Sequence, residues 1–260
     1  MRILVCVKHV PDLHLERSFT AGRITRGADD GMNELDEHAV EAAVRLVEEH
    51  GGEAIAVTVG GPDSGAAVRK ALQLGVTRAI RVTDDAIAGS DVFGTARVLA
   101  GVVRVLEGEA PLDLVVTGMA SLDGLTSMLP AALAVELGWP QLTFASSLKV
   151  ADGRARIERH LPGAHETLDA ALPAVASVTD ESNSPHYPNF RAIVAARAAQ
   201  IEVWDLAAIE TDPSTVGDAG ALTRVISATP RPPRQNRRIV NDAGEGGDEL
   251  AAFLVERGFA

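Results

Sequence analysis

Leu114 Val115 Val116 Thr117 Gly118 Met119 Ala120 Ser121 Leu122 Asp123 Gly124 Leu125 Thr126 Ser127 Met128 Leu129 Pro130 is the stretch on which the fold turns. A continuous apolar run ends at a glycine, small and hydroxylic residues follow, and a helical period begins beside a proline, whose missing N–H is no loss in a first helical turn. An apolar run without alternation predicts a strand buried on both faces. Its exit into a helix places free N–H groups and a positive dipole end at the carboxyl edge of a sheet, where phosphate binds readily. The same residues also suit an ordinary strand-to-helix turn capped by Asp123 or Thr126, and at this point both readings stand.

Similar runs over residues 3–7, 54–59, 79–82 and 174–178 alternate with helical stripes over 33–50, 64–74, 91–106 and about 126–137. Strand and helix in alternation predict an α/β fold, doubly wound around a mostly parallel sheet. Asn33 is placed to cap the first helix. Residues 148–160, broken at Asp152 Gly153, and 165–172 read as antiparallel strands joined by a hairpin, an antiparallel edge extension. After Trp204 the chain turns rich in Pro and Gly, including Thr229 Pro230 Arg231 Pro232 Pro233 Arg234 and Gly244 Glu245 Gly246 Gly247. Such composition cannot fill a core, so we expect an α/β domain over 1–205 and an extended C-terminal arm over 206–260, closed by a short amphipathic helix.

The 260 residues carry a formal net charge of −12, which argues against nucleic acid or an anionic membrane as a partner. With one cysteine, Cys6, no intrachain disulfide or cysteine-rich metal site can form, and a reducing, cytoplasmic setting is expected. No run is long and apolar enough for a membrane span. The seven histidines lack metal-ligand spacing, and the phosphate-loop, dinucleotide-fingerprint, nucleophile-elbow and zinc-protease motifs are missing. No catalytic residues are expected. A second loop, Asp180 to Phe190, displays Tyr187 and Phe190 in a chain that is 3% aromatic. Phe190 either staples its own helix or anchors a partner.

Together, Lys8 His9 Val10 Pro11 Asp12, Met32 to Ala43, Ala66 to Gly75, the Gly118 to Pro130 loop, Gly138 to Thr143, the Asn183 to Gln200 loop and helix, and the Pro-rich arm resemble the electron-transfer flavoprotein β subunit, in order and nearly end to end. The resemblance implies a heterodimer with an α subunit that holds most of a redox-active FAD. The β subunit would bury a structural AMP. By resemblance, Cys6, Asn33, Glu34, Leu35, Asp36 and Val59 meet adenine and ribose. The phosphate falls to Gly118, Ser121, Leu122, Asp123, Gly124, Thr126, Ser127, Met128 and Leu129, with the N–H groups of Gly124, Ser127, Met128 and Leu129 as donors. Leu13 and Leu35 match positions near the flavin, and Tyr187 and Phe190 lie in the loop that grips partner dehydrogenases.

Met119 and Ala120 stand where many relatives carry a basic residue and an amide, so the grip on phosphate would rest on main-chain donors. Asn183 Ser184 Pro185 His186 lacks the two charges of the family's loop. The implied role is an electron carrier from acyl-CoA-type dehydrogenases, as in fatty acid oxidation, toward a quinone oxidoreductase, with the flavin supplying the electron chemistry. Two alternatives remain: a bifurcating relative with a second FAD in place of AMP, and a stand-alone adenine-nucleotide sensor.

Overall fold

The computed structural model describes residues 1–12, 18–20, 22–27, 30–229, 231–233, 235 and 239–259. Leu13, expected near the flavin, and Pro230 and Arg234 of the Pro-rich segment lie outside them. The chain divides into two compact units, Met1–Ala228 and Thr229–Ala260.

The first unit is built on a seven-stranded sheet. Its strands are β1 (Arg2–Cys6), β2 (Glu53–Val59), β3 (Arg78–Val82), β4 (Leu114–Gly118), β5 (Gln141–Ala145), β9 (Ala174–Val178) and β10 (Glu202–Trp204), in the spatial order β10-β3-β2-β1-β4-β9-β5. Every pairing in it is parallel. Chain order runs outward from β1 to β3 and then crosses back to β4. That reversal at β1 and β4 opens a crevice at the carboxyl edge, where ligands of open α/β sheets bind.

Burial explains the layers. Helices α1 (Glu34–His50) and α2 (Gly65–Gln73) lay Ala39, Val40, Ala43, Val44, Ala67, Val68 and Ala71 against Ile3, Val5, Ala54 and Val116 on one face. On the other, α3 (Val92–Glu109) and α4 (Leu129–Leu137) cover Leu4, Ile55, Val57, Ile80 and Val115. Leu206, Ile209 and Val216 join this second core. Arg2 closes the amino edge, donating to Glu53 Oε1 at 2.5 Å, Glu109 Oε2 at 2.6 Å and two carbonyls at the end of α3.

Strands β6 (Ser147–Ala151), β7 (Arg154–Leu161) and β8 (Ala164–Ala171) form a three-stranded antiparallel sheet continuing from the edge strand β5. Asp152 and Gly153 make its first turn at φ +52° and +70°, as a tight hairpin demands. Three details differ from expectation. Asn33 precedes α1 without capping it, because its side chain is engaged elsewhere. Helix α4 starts at Leu129 rather than near Thr126, so neither Asp123 nor Thr126 caps it. Residues 141–145 and 202–204, unassigned from sequence, complete the sheet at its two edges. Helix α5 (Phe190–Ala198) follows β9, and α6 (Gly246–Glu256) lies in the second unit.

Candidate functional site

A cavity of about 620 Å³ opens at the carboxyl ends of β1, β2, β3 and β4, within the size range of cofactor sites. Of the residues expected to bind, Cys6, Asp36, Val59, Gly118, Ser121, Gly124, Thr126, Ser127 and Leu129 line it together. Glu34 and Leu122 instead line a neighbouring cavity of about 370 Å³ with Met32 and Lys70. Leu35 is half-buried and Met128 exposed, and neither lines the larger cavity.

The loop after β4 is held in place by its neighbours. Buried Asn33 donates from Nδ2 to the Ala120 carbonyl at 2.9 Å and accepts from the Leu122 N–H at 3.0 Å, tying this loop to the segment after β1. Asp123 sits behind the loop, its side chain 4% exposed, and accepts from Lys8 Nζ at 2.8 Å and from Arg26. Burial opposes its ionisation, but Lys8, Ser121 and Arg26 outweigh that and hold its carboxyl below the usual carboxylate range. Asp123 thus shapes the loop and consumes cation charge. Replacing Asn33 with Ala removes both ties and should cost about 1–3 kcal/mol, read from denaturant unfolding.

Leu125 and Ser127 adopt φ of +49° and +52°, an uncommon conformation for residues with a Cβ. The Gly124 and Leu125 N–H groups turn back onto the Ser121 carbonyl at 3.2 and 2.7 Å. The N–H groups of Ser127, Met128, Leu129 and Ala131, at the start of α4, have no acceptor among the described residues. Of the four expected main-chain donors, Gly124 is therefore already engaged, while the other three are free. Free N–H groups at a positive dipole end suit an anion.

Charge polarises the cavity. Lys8 and Arg26 lie toward the α4 end, whereas Asp63, Asp84, Asp85 and Asp91 line the β2 and β3 end. An anionic group fits the first end, and hydroxyl or amino donors the second. Asp36 is buried between the two strand ends, accepting from the Lys8 N–H at 2.8 Å. Burial pushes its carboxyl up to about 7, despite hydrogen bonds from Asn33, Lys8 and Gly118. Because the folded value is raised, folded Asp36 keeps a proton that the unfolded chain has released, so its contribution to stability falls as pH rises from about 4 to about 7. Asp36→Asn should flatten that decline in melts recorded between pH 5 and 8.

Sequence reasoning missed Lys8, Arg26 and Asp91 as site residues. Lys8 opens the Lys8 to Asp12 stretch that carries part of the family resemblance.

Tyr187 and Phe190 are 96% and 81% exposed and belong to a separate surface. Phe190 does not staple its own helix, which Asn189 caps by accepting from the Ala192 N–H at 2.9 Å. The loop before it is pinned to α1. His186 Nδ1 lies 2.6 Å from Glu41 Oε2, Arg45 donates to Glu41 Oε1 at 2.5 Å, and the Asn183 side chain donates to the His38 carbonyl at 2.9 Å. Burial raises the Glu41 pKa, yet the bonds from His186 and Arg45 outweigh it and leave the carboxyl below its ordinary value. Phe190 and Val194 are exposed one helical turn apart on this fixed base.

Among the described residues no cluster of three or more His, Cys, Asp or Glu could hold a metal ion, and no helix is long and apolar enough to cross a membrane. The fold and cavity define an open-sheet α/β protein with a cleft at the carboxyl edge of its sheet. The model of the electron transfer flavoprotein domain matches residues 22–209. The electron transfer flavoprotein subunit beta of Mycobacterium tuberculosis is 38% identical over 261 residues, covering 97% of each chain. Protein FixA of Azotobacter vinelandii is 31% identical, over 91% of this chain and 86% of its own. The caffeyl-CoA reductase-Etf complex subunit CarD of Acetobacterium woodii is 28% identical, over 99% and 97%. The chain belongs to the electron transfer flavoprotein family.

Proposed function

We propose that this chain is the β subunit of a cytoplasmic, heterodimeric electron-transfer flavoprotein, and that it holds AMP in the cavity at the carboxyl edge of its sheet. The observation that carries the nucleotide reading is the set of N–H groups at the start of α4 that have no acceptor among the described residues, two of whose residues, Ser127 and Leu129, line a cavity with cations at that end and carboxylates at the other. Phosphate would meet Ser127, Met128 and Leu129 through the main chain, with Lys8 nearby. Adenine and ribose would extend past Cys6 and Val59 toward Asp63 and Asp85. Gly118 allows close approach and Asn33 and Asp123 hold the loop, so their contribution is to position the donors.

FAD, held mainly by an α subunit, would supply the electron transfer from acyl-CoA-type dehydrogenases toward a quinone oxidoreductase. This chain contributes orientation and docking. Leu35 would approach the flavin, and the loop carrying Tyr187 and Phe190 would receive the dehydrogenase. The likeness to the mycobacterial β subunit over nearly the whole chain supports the pairing. Of residues 206–260, those beyond the buried Val216 would serve as the arm that embraces the α subunit.

Coexpression with the cognate α subunit tests this. The expected product is a yellow heterodimer whose flavin an acyl-CoA dehydrogenase reduces; two separate, colourless chains would contradict it. Ending the chain before Arg231 should weaken that association at least tenfold, measured by sedimentation. Undiminished association would remove the last segment from the account.

A second reading places FAD in the cavity instead of AMP. The lining, which continues from the β3 end to α3, supports it. A diphosphate would need further cations, and Lys8 and Arg26 are already shared with Asp123.

A further inference from the structure

The segment from Asp84 to Val92, between β3 and α3, has two faces. One lines the cavity through Ile87, Gly89 and Ser90. The other holds the chain where it leaves the α/β core: the Gly217 N–H donates to Ser90 Oγ at 2.8 Å and the Asp218 N–H to the Ala88 carbonyl at 3.2 Å. Contact there is too close for side chains. A Cβ on Gly217 would lie 2.0 Å from the Ala86 carbonyl oxygen, and one on Gly89 2.0 Å from Asp218 Oδ1.

Asp91 divides its two oxygens between these duties. Oδ1 caps α3, accepting from the N–H groups of Phe93 at 3.0 Å and Gly94 at 2.9 Å. Oδ2 accepts from the N–H groups of Leu222 at 2.8 Å and Thr223 at 3.0 Å and from the Thr223 hydroxyl at 3.2 Å. A carboxylate can accept at both oxygens at once, which no other side chain of this size does. Beyond Thr223, Val225 and Ile226 are exposed.

We propose that Asp91 is a positioning residue that couples occupancy of the nucleotide cavity to the placement of residues 217–226, the root of the C-terminal arm. A ligand that fixes the Asp84–Val92 wall fixes both acceptors of Asp91, and with them the placement of Leu222 and Thr223. Coupling is reciprocal, so an arm held on Asp91 strengthens nucleotide binding by the same factor. The inference rests on the AMP reading of the cavity, and the test separates the two.

Hydrogen–deuterium exchange on the full chain, with and without saturating AMP, reads both sites. In the native protein AMP should slow exchange in residues 118–131 and, by about fivefold or more, in residues 217–226. Asp91→Asn keeps an oxygen for the α3 cap, where Asn serves as well as Asp, but turns an N–H₂ group on Leu222 and Thr223. In that variant AMP should still protect 118–131, no longer protect 222–226, and bind about fivefold more weakly by calorimetry. Protection of 222–226 that survives in Asp91→Asn, or is missing from the native chain while 118–131 responds, overturns the coupling. Unprotected 118–131 in the native chain overturns the AMP reading, and the coupling with it.

Discussion

Replacing Gly118 with Ala should abolish nucleotide binding and destabilise the α/β unit by about 1–3 kcal/mol, the usual cost of forcing a methyl into a filled site. The added Cβ would stand 2.5 Å from Asp36 Oδ1 and 2.7 Å from the Leu35 carbonyl oxygen. Neither can retreat cheaply. Asp36 is fixed by the Lys8 N–H, and the Leu35 carbonyl is main chain in the first turn of α1. The strand end would move instead, taking with it the loop that presents the N–H groups of Ser127 to Leu129. Denaturant unfolding and AMP titration check this, and native-like values in both would remove Gly118 from the account of the site.

The second large effect is expected at Phe190. Truncation to Ala should slow flavin reduction by the dehydrogenase about 30-fold, the equivalent of a hot-spot side chain contributing about 2 kcal/mol. FAD content and heterodimer yield should not change, because Phe190 is 81% exposed and packs into no core. Stopped-flow reduction at varied dehydrogenase concentration separates docking from chemistry. A drop in heterodimer yield would assign Phe190 to assembly.

Much of the architecture was legible because two-sided burial leaves a plain mark. Ile3 to Val7 and Leu114 to Thr117 are unbroken apolar runs, and both proved central strands. The Asp152 Gly153 turn declared its hairpin by residue type alone. Edge strands were harder: Gln141–Ala145 contains Gln and Thr, and Glu202–Trp204 is only three residues long, so neither has the run that buried strands show. The site was legible as a loop but not as a network. Local spacing made Asn33 a helix cap, whereas its amide and oxygen are engaged by Ala120 and Leu122 respectively, nearly ninety residues onward. The role of Asp91 was hidden similarly, since half of its partners lie more than a hundred residues away. Spacing reports neighbours along a helix, and only the folded chain reports neighbours across a sheet.

The central claim is that this chain encloses an adenylate while its partner carries the flavin. Acid release of bound nucleotides from the purified heterodimer, quantified by mass spectrometry, tests it most directly. The account predicts one AMP and one FAD per heterodimer. Two FAD and no AMP, or a heterodimer whose β chain carries no adenine nucleotide, would contradict it.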